Sequence, residues 1–155
     1  MLKYHSTYIG FREIPDEISL CINISNCPNN CEGCHSPWLK EDVGTPLSFV
    51  ELTKLIQENI GITCVCFMGG DRYPREVEHL SKNTREMFPN LKTAVYSGVQ
   101  DIQEWDFTLF NYVKLGPYIK NKGPLDKKTT NQQLLKIGDG EGCAMVYDIT
   151  YKFWK

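Results

Sequence analysis

Cys27, Cys31 and Cys34 stand in the run Cys27-Pro28-Asn29-Asn30-Cys31-Glu32-Gly33-Cys34-His35, with three residues between the first pair and two between the second. Thiols this close on one loop can hold three corners of an iron–sulfur cube and leave the fourth iron without a protein ligand. A small molecule can be bound and reduced at that open iron. Four protein ligands would instead make a closed structural or electron-transfer site. The same stretch offers a second chemistry, because Cys27, Cys31, Cys34 and His35 form a Cys3His set of the kind that binds zinc. Against zinc, His35 directly follows Cys34, and adjacent side chains seldom both reach one tetrahedral ion.

The elements around this loop place it at the end of a strand. Ile18 to Ser25 is mostly apolar and rich in isoleucine, which predicts a strand running into the cysteines. Tyr4 to Glu13 reads as an edge strand or hairpin arm. Ser48 and Glu51 make a Ser-x-x-Glu capping box, and Phe49, Leu52, Leu55, Ile56 and Ile60 fall on one face of the helix that follows. Gly61 ends that helix. Ile62 to Met68 is a near-continuous apolar run, expected of a strand buried on both faces. It ends in Gly69-Gly70-Asp71, where a glycine pair lets backbone groups approach a ligand closely. Pro74 opens a second helix with Val77, Leu80, Thr84 and Met87 inward, and Pro89-Asn90 breaks it. Thr93 to Tyr96 is a strand ending at Ser97-Gly98. A weaker helical segment follows over Gln100 to Trp105, then a strand over Tyr112 to Leu115 ending at Gly116-Pro117. Leu134 to Ile137 and Ala144 to Phe153, separated by Gly138 to Gly142, predict a terminal hairpin.

Strands alternating with helices predict parallel pairing with right-handed crossovers, and in such folds chemistry gathers at the carboxyl ends of the strands. The cysteine loop, Gly-Gly-Asp, Ser97-Gly98 and the Lys114-Leu115-Gly116-Pro117-Tyr118 segment all fall on that rim. The chain has 155 residues, whereas a full eightfold barrel takes about 250. The expected fold is therefore α/β: a partial (β/α) barrel with a mostly parallel sheet, one domain over residues 1–155, and a C-terminal hairpin.

Composition is that of an ordinary globular protein, with 41% hydrophobic and 23% charged residues. A formal net charge of -2 gives no general pull toward nucleic acid. The start of the chain lacks the apolar core of a signal peptide and no stretch is long enough to span a bilayer, so the expectation is a cytoplasmic protein. Seven cysteines is an odd number, and their clustering does not read as a disulfide framework. Cys21, Cys64, Cys66 and Cys143 sit in apolar or strand-like contexts and read as small buried hydrophobes.

The cysteine tripod resembles that of the radical S-adenosylmethionine (SAM) enzymes. His35-Ser36-Pro37-Trp38-Leu39, Phe67-Met68-Gly69-Gly70-Asp71, Tyr96-Ser97-Gly98, Lys114 to Tyr118 and Gly123 to Gln132 occur in an order that resembles the activating proteins of anaerobic (class III) ribonucleoside-triphosphate reductases. The resemblance implies the radical SAM type of barrel and a [4Fe-4S] cluster on Cys27, Cys31 and Cys34. It implies SAM contacts from Gly69, Gly70, Asp71, Ser97, Gly98 and Lys114, with His35 or Trp38 over the adenine. Those families carry an aromatic residue before the third cysteine, where this chain has Gly33, and a Gly-Gly-Glu-Pro segment, where this chain has Asp71 and no adjoining proline. The implied activity is that of an oxidoreductase. Reductive cleavage of SAM gives methionine and a 5′-deoxyadenosyl radical, which takes a hydrogen atom from one glycine of the large reductase subunit. The implied partners are that subunit and a low-potential donor, a flavodoxin or ferredoxin, with neither nucleic acid nor membrane. Two alternatives stand beside this reading: activation of another glycyl-radical enzyme, and a non-enzymatic zinc-binding interaction module.

Overall fold

A computed structural model of the chain describes residues 1–34, 36–100, 105–140 and 143–154. The strands are β1 (Lys3–Gly10), β2 (Ser19–Ile24), β3 (Thr45–Pro46), β4 (Cys64–Met68), β5 (Lys92–Tyr96), β6 (Tyr112–Leu115), β7 (Gln133–Gly140) and β8 (Cys143–Asp148). Two helices, α1 (Phe49–Glu58) and α2 (Pro74–Met87), lie between β3 and β4 and between β4 and β5 in the chain. All eight strands join one mixed sheet in the order β3-β1-β2-β4-β5-β6-β7-β8.

The centre of the sheet is the parallel unit that the alternating pattern predicts. Within it β2 pairs with β4, β4 with β5 and β5 with β6, all parallel. The expectation of a mostly parallel sheet needs correction, because the other four pairings are antiparallel. The reason lies in the connections. Parallel neighbours need a crossover of about a dozen residues or more. Residues 11–18 are too few for one, so β1 folds back on β2. Residues 116–132 carry Gly-Pro turns rather than a helix and return β7 beside β6 in the opposite sense. The terminal hairpin is present as β7 and β8. Its second arm stops at Asp148, whose carboxylate accepts hydrogen bonds from the backbone N and Oγ1 of Thr150 (3.0 and 2.6 Å) and turns residues 150–153 into a short 3-10 segment. β1 is a hairpin arm paired antiparallel with β2, and it remains an edge over most of its length, because β3 covers only Lys3 and Tyr4.

Both helices pack on one face of the sheet. Leu52, Leu55 and Ile56 of α1 and Val77 and Leu80 of α2 share a core with Leu20, Ile22, Val65, Phe67, Val95 and Val113. Ser48 caps α1, its hydroxyl accepting from the backbone N of Glu51 (3.1 Å). The Glu51 carboxylate accepts instead from the Tyr4 hydroxyl (2.6 Å), tying the helix to β1. Two residues expected inward face solvent. Ile60 is 96% exposed because α1 ends at Glu58, and Met87 is 62% exposed as the last residue of α2.

The opposite face is lined by Cys21, Cys64, Cys66, Ala94, Tyr112 and Leu134 and covered by Ile14 and Ile149, with Phe153 packed against them. The small side chains let residues 11–17 and 149–153 lie close to the sheet. Cys21, Cys64 and Cys66 are fully buried, as read from their apolar contexts. The side chain of Cys143, the turn at residues 141–142 and most of the segment expected to be helical over Gln100 to Trp105 lie outside the described residues. Among the described residues no helix is long and apolar enough to cross a membrane.

Candidate functional site

Parallel strands bring their carboxyl ends to one side, and here that side collects every segment the sequence marks for chemistry. The thiol loop leaves β2 through Asn26, which holds φ 59. Its base is closed by the backbone N of Cys27 donating to the Leu39 carbonyl (2.9 Å) and that of Asn26 to the Glu41 carbonyl (3.0 Å). Arg72 Nε donates to the Asn26 carbonyl (3.0 Å), and Asn26 Nδ2 donates to the Tyr73 hydroxyl (3.1 Å), so the base is also pinned to the segment after β4. Cys27, Cys31 and Cys34 are free thiols, each half-buried. Burial pushes the Cys27 thiol above its ordinary range, and the charge of Asp71 adds to the shift.

After β4 the chain turns through Gly69 and Gly70, at φ 111 and 106. Gly70 also lies so close to α2 that a Cβ would meet Val77 Cγ2 at 2.6 Å. This tight passage aims the next side chain, Asp71, back across the strand ends. Its carboxylate accepts four hydrogen bonds from the chain. Oδ1 takes Ser97 Oγ (2.5 Å) and Trp105 Nε1 (3.2 Å), and Oδ2 takes Asn29 Nδ2 (2.6 Å) and the backbone N of Gly98 (2.8 Å). One acidic side chain thus ties the thiol loop to the ends of β4 and β5 and to Trp105.

Ser97 is fully buried, and its oxygen also accepts from the Val99 backbone N (3.2 Å). Lys114, 8% exposed, donates to the carbonyls of Ser97 (3.2 Å) and Gly116 (2.7 Å) and lies 5.8 Å from the Tyr96 ring centroid. Burial lowers its pKa to about 8, against the pull of Asp71 and the three cysteines. Gln132 Nε2 and Asn131 Nδ2 donate to the carbonyls of Gly116 (3.4 Å) and Pro117 (3.0 Å). They brace the turn after β6. Between this turn and the thiol loop lies an open cleft of about 600 Å³, lined by Asn29, Asn30, Cys31 and Glu32 on one side and residues 117–121 on the other. Tyr118 belongs to that wall and packs against Gly33, 3.3 Å from where a Cβ would stand.

The structure therefore brings Gly69, Gly70, Asp71, Ser97, Gly98 and Lys114 together at the rim beside the thiol loop. It places Trp38 on the 3-10 turn Pro37–Lys40, half exposed, while His35 lies outside the described residues. Among the partners of Asp71, two went unmarked in the sequence, Asn29 and Trp105. A donor set of three free thiols on one loop, half open to solvent and beside a cleft that Cys31 lines, is chemically suited to an iron–sulfur cube. The thiols are not drawn together in this arrangement: among the described residues no three histidine, cysteine or acidic side chains form a group that could hold a metal ion. Comparison with known proteins finds no matching family model, no matching curated protein and no matching solved structure.

Proposed function

We propose that this chain is a radical SAM activase of the kind that installs a glycyl radical on anaerobic ribonucleoside-triphosphate reductase, working in the cytoplasm. The observation that carries the reading is the meeting of a three-thiol loop with the Gly69-Gly70-Asp71 turn, Ser97-Gly98 and Lys114 at the carboxyl ends of four parallel strands. On this reading those strands and their two helices are the reduced barrel of the radical SAM type, extended by antiparallel strands on both sides. Cys27, Cys31 and Cys34 would hold a [4Fe-4S] cluster. Bound there, such a cluster would supply the low-potential electron for reductive cleavage of SAM to methionine, the chemistry that hydrogen-atom removal from the reductase glycine requires.

The chain's own residues supply binding and order. The left-handed turn at Gly69 and Gly70 lets the chain pass close to Ile24 and α2 and aims Asp71 across the strand ends. Lys114 sets a cationic group under the strand ends, held by two carbonyls so that it stays fixed when a carboxylate approaches. The open cleft suits a polypeptide substrate, which closes the site from outside and excludes water itself. An external flavodoxin or ferredoxin would reduce the cluster.

The test is anaerobic reconstitution with iron and sulfide, followed by SAM, reductant and the large reductase subunit. The expected results are a brown protein with about four irons per chain and a glycyl doublet in electron paramagnetic resonance. A colourless protein holding one zinc would replace the activase with the interaction module. A cluster-bearing protein that cleaves SAM yet radicalises only a formate-lyase type of partner would move the activity to another glycyl-radical enzyme.

A further inference from the structure

We infer that Asn29 is the positioning residue of the thiol loop: its side-chain amide fills a notch left open by Gly98 and gives Asp71 the hydrogen bond that fixes Cys27 and Cys31 against the strand ends. The inference rests on the activase reading only for its consequence in iron retention, since the docking itself is a property of the metal-free chain.

The loop needs such a tie. Pro28, Asn30, Glu32 and Gly33 are exposed, so the loop has little packing to offset the entropy of ordering it. The hydrogen bonds at its base, from Asn26, Cys27 and Arg72, do not reach the stretch between the cysteines, where the Cys34 N–H bonds only within the loop, to the Cys31 carbonyl, and Tyr118 packs against Gly33. Lys40 Nζ bonds to Asn30 Oδ1 (2.7 Å), but both belong to the loop and its return, so that bond does not fix the loop relative to the sheet. Asn29, half-buried, points the other way, and Nδ2 reaches Asp71 Oδ2 at 2.6 Å. This is a hydrogen bond to a charged acceptor, the stronger kind.

Gly98 supplies the second, independent observation. A Cβ at position 98 would stand 2.4 Å from Asn29 Nδ2 and 3.0 Å from its Cγ. A side chain at position 98 would displace the Asn29 amide, which occupies the space the glycine leaves. The notch also places the amide beside the Gly98 N–H, which donates to the same Asp71 oxygen (2.8 Å). Two donors from different segments therefore converge on one acceptor, and the polarity cannot be reversed. An aspartate in place of Asn29 has the same shape, but it would bring carboxylate against carboxylate.

The test compares Asn29→Ala, Asn29→Asp and Gly98→Ala with the unmodified full chain. In the metal-free proteins, amide hydrogen exchange is measured across residues 27–34, with β4 and β5 as the internal control for folding. After anaerobic reconstitution, the rate of iron loss to a chelator is measured. Asn29→Ala and Gly98→Ala should speed loop exchange and iron loss by roughly ten- to a hundredfold, the range expected from losing one hydrogen bond to a charged group. Asn29→Asp should speed both further, an order that a space-filling role for Asn29 would reverse. Loop exchange in Asn29→Asp or Gly98→Ala equal to that of the unmodified chain would overturn the inference. Failure of the unmodified chain to take up a cluster would overturn the activase reading alone, because the exchange measurement still decides the role of Asn29.

Discussion

A carboxylate at the end of a buried strand must find donors or bind something, and Asp71 finds four. Hydrogen bonds to a charged acceptor contribute roughly 1.5–3 kcal/mol each, and a buried donor left without a partner costs about 1–3 kcal/mol. Asp71→Ala would orphan Ser97 Oγ, the Gly98 N–H and Trp105 Nε1 together. It should lower the unfolding free energy of the metal-free protein by about 3 kcal/mol or more, read from urea denaturation; a residue that served only a ligand would leave that midpoint in place. The thiols separate by the same logic of surroundings. Replacing any one of Cys27, Cys31 or Cys34 with alanine should abolish SAM cleavage and leave iron well below the reconstituted level, as measured by iron assay. Cys64→Ala should retain both and lose only some stability, because Cys64 packs in the face away from the helices and burial holds its thiol far above the range in which it ionises. Asn29 and Trp105 show why single residues of the site escape a reading of the sequence. Each meets Asp71 across a long stretch of chain, 42 and 34 positions, and no periodicity or local spacing records such a meeting.

At the scale of elements, local pattern and observed structure agree where burial is continuous. The apolar run before Gly69 and the capped, one-faced helix after Ser48 both form as expected, since each is specified by its own residues. Pairing direction is different, because it depends on how far a connection can reach and whether it carries a helix. That is why β1, β3, β7 and β8 extend the parallel unit in the antiparallel sense. The amino ends of the central strands carry their own network, with Glu17 accepting from Thr63 Oγ1 (2.5 Å), Lys92 Nζ (2.6 Å) and the Tyr112 hydroxyl (3.1 Å). Burial first, and the Glu17 charge second, raise Tyr112 to about 12 from its ordinary 10. A tyrosine whose folded pKa is raised contributes stability that is complete below pH 10 and is lost as pH climbs to about 12, because the unfolded chain gives up the proton first. Tyr4, raised to about 12 by burial and by Glu51, acts in the same window, and the raised pKa of Lys92 acts in the same direction. Stability followed by denaturant titration should therefore fall between pH 10 and 12, and Tyr112→Phe should flatten that fall while lowering the plateau below pH 10.

For the whole molecule, the sheet ends in two unlike edges. One is β3, only two residues long, with β1 forming the edge beyond Tyr4. The other is β8, where Met145, Val146 and Tyr147 are 50%, 56% and 48% exposed and no lysine or proline guards the strand. Long apolar edges of this kind template pairing with other chains. Val146→Lys should raise the concentration at which the protein begins to associate, measured by light scattering, without shifting its far-ultraviolet dichroism; unchanged association would locate the contact elsewhere.

The two stretches that roof the helix-free face, residues 11–17 and 149–153, come from opposite ends of the described chain. They are clasped by an ion pair from Lys152 Nζ to Asp16 Oδ2 (2.7 Å) at the surface, where such a pair adds little. Beneath them sit Cys21, Cys64 and Cys66, shut off from solvent. Alkylation of these three sulfurs by a small maleimide thus becomes a clock for how often the roof lifts, one that ticks in the native protein and runs only slightly faster in Lys152→Ala.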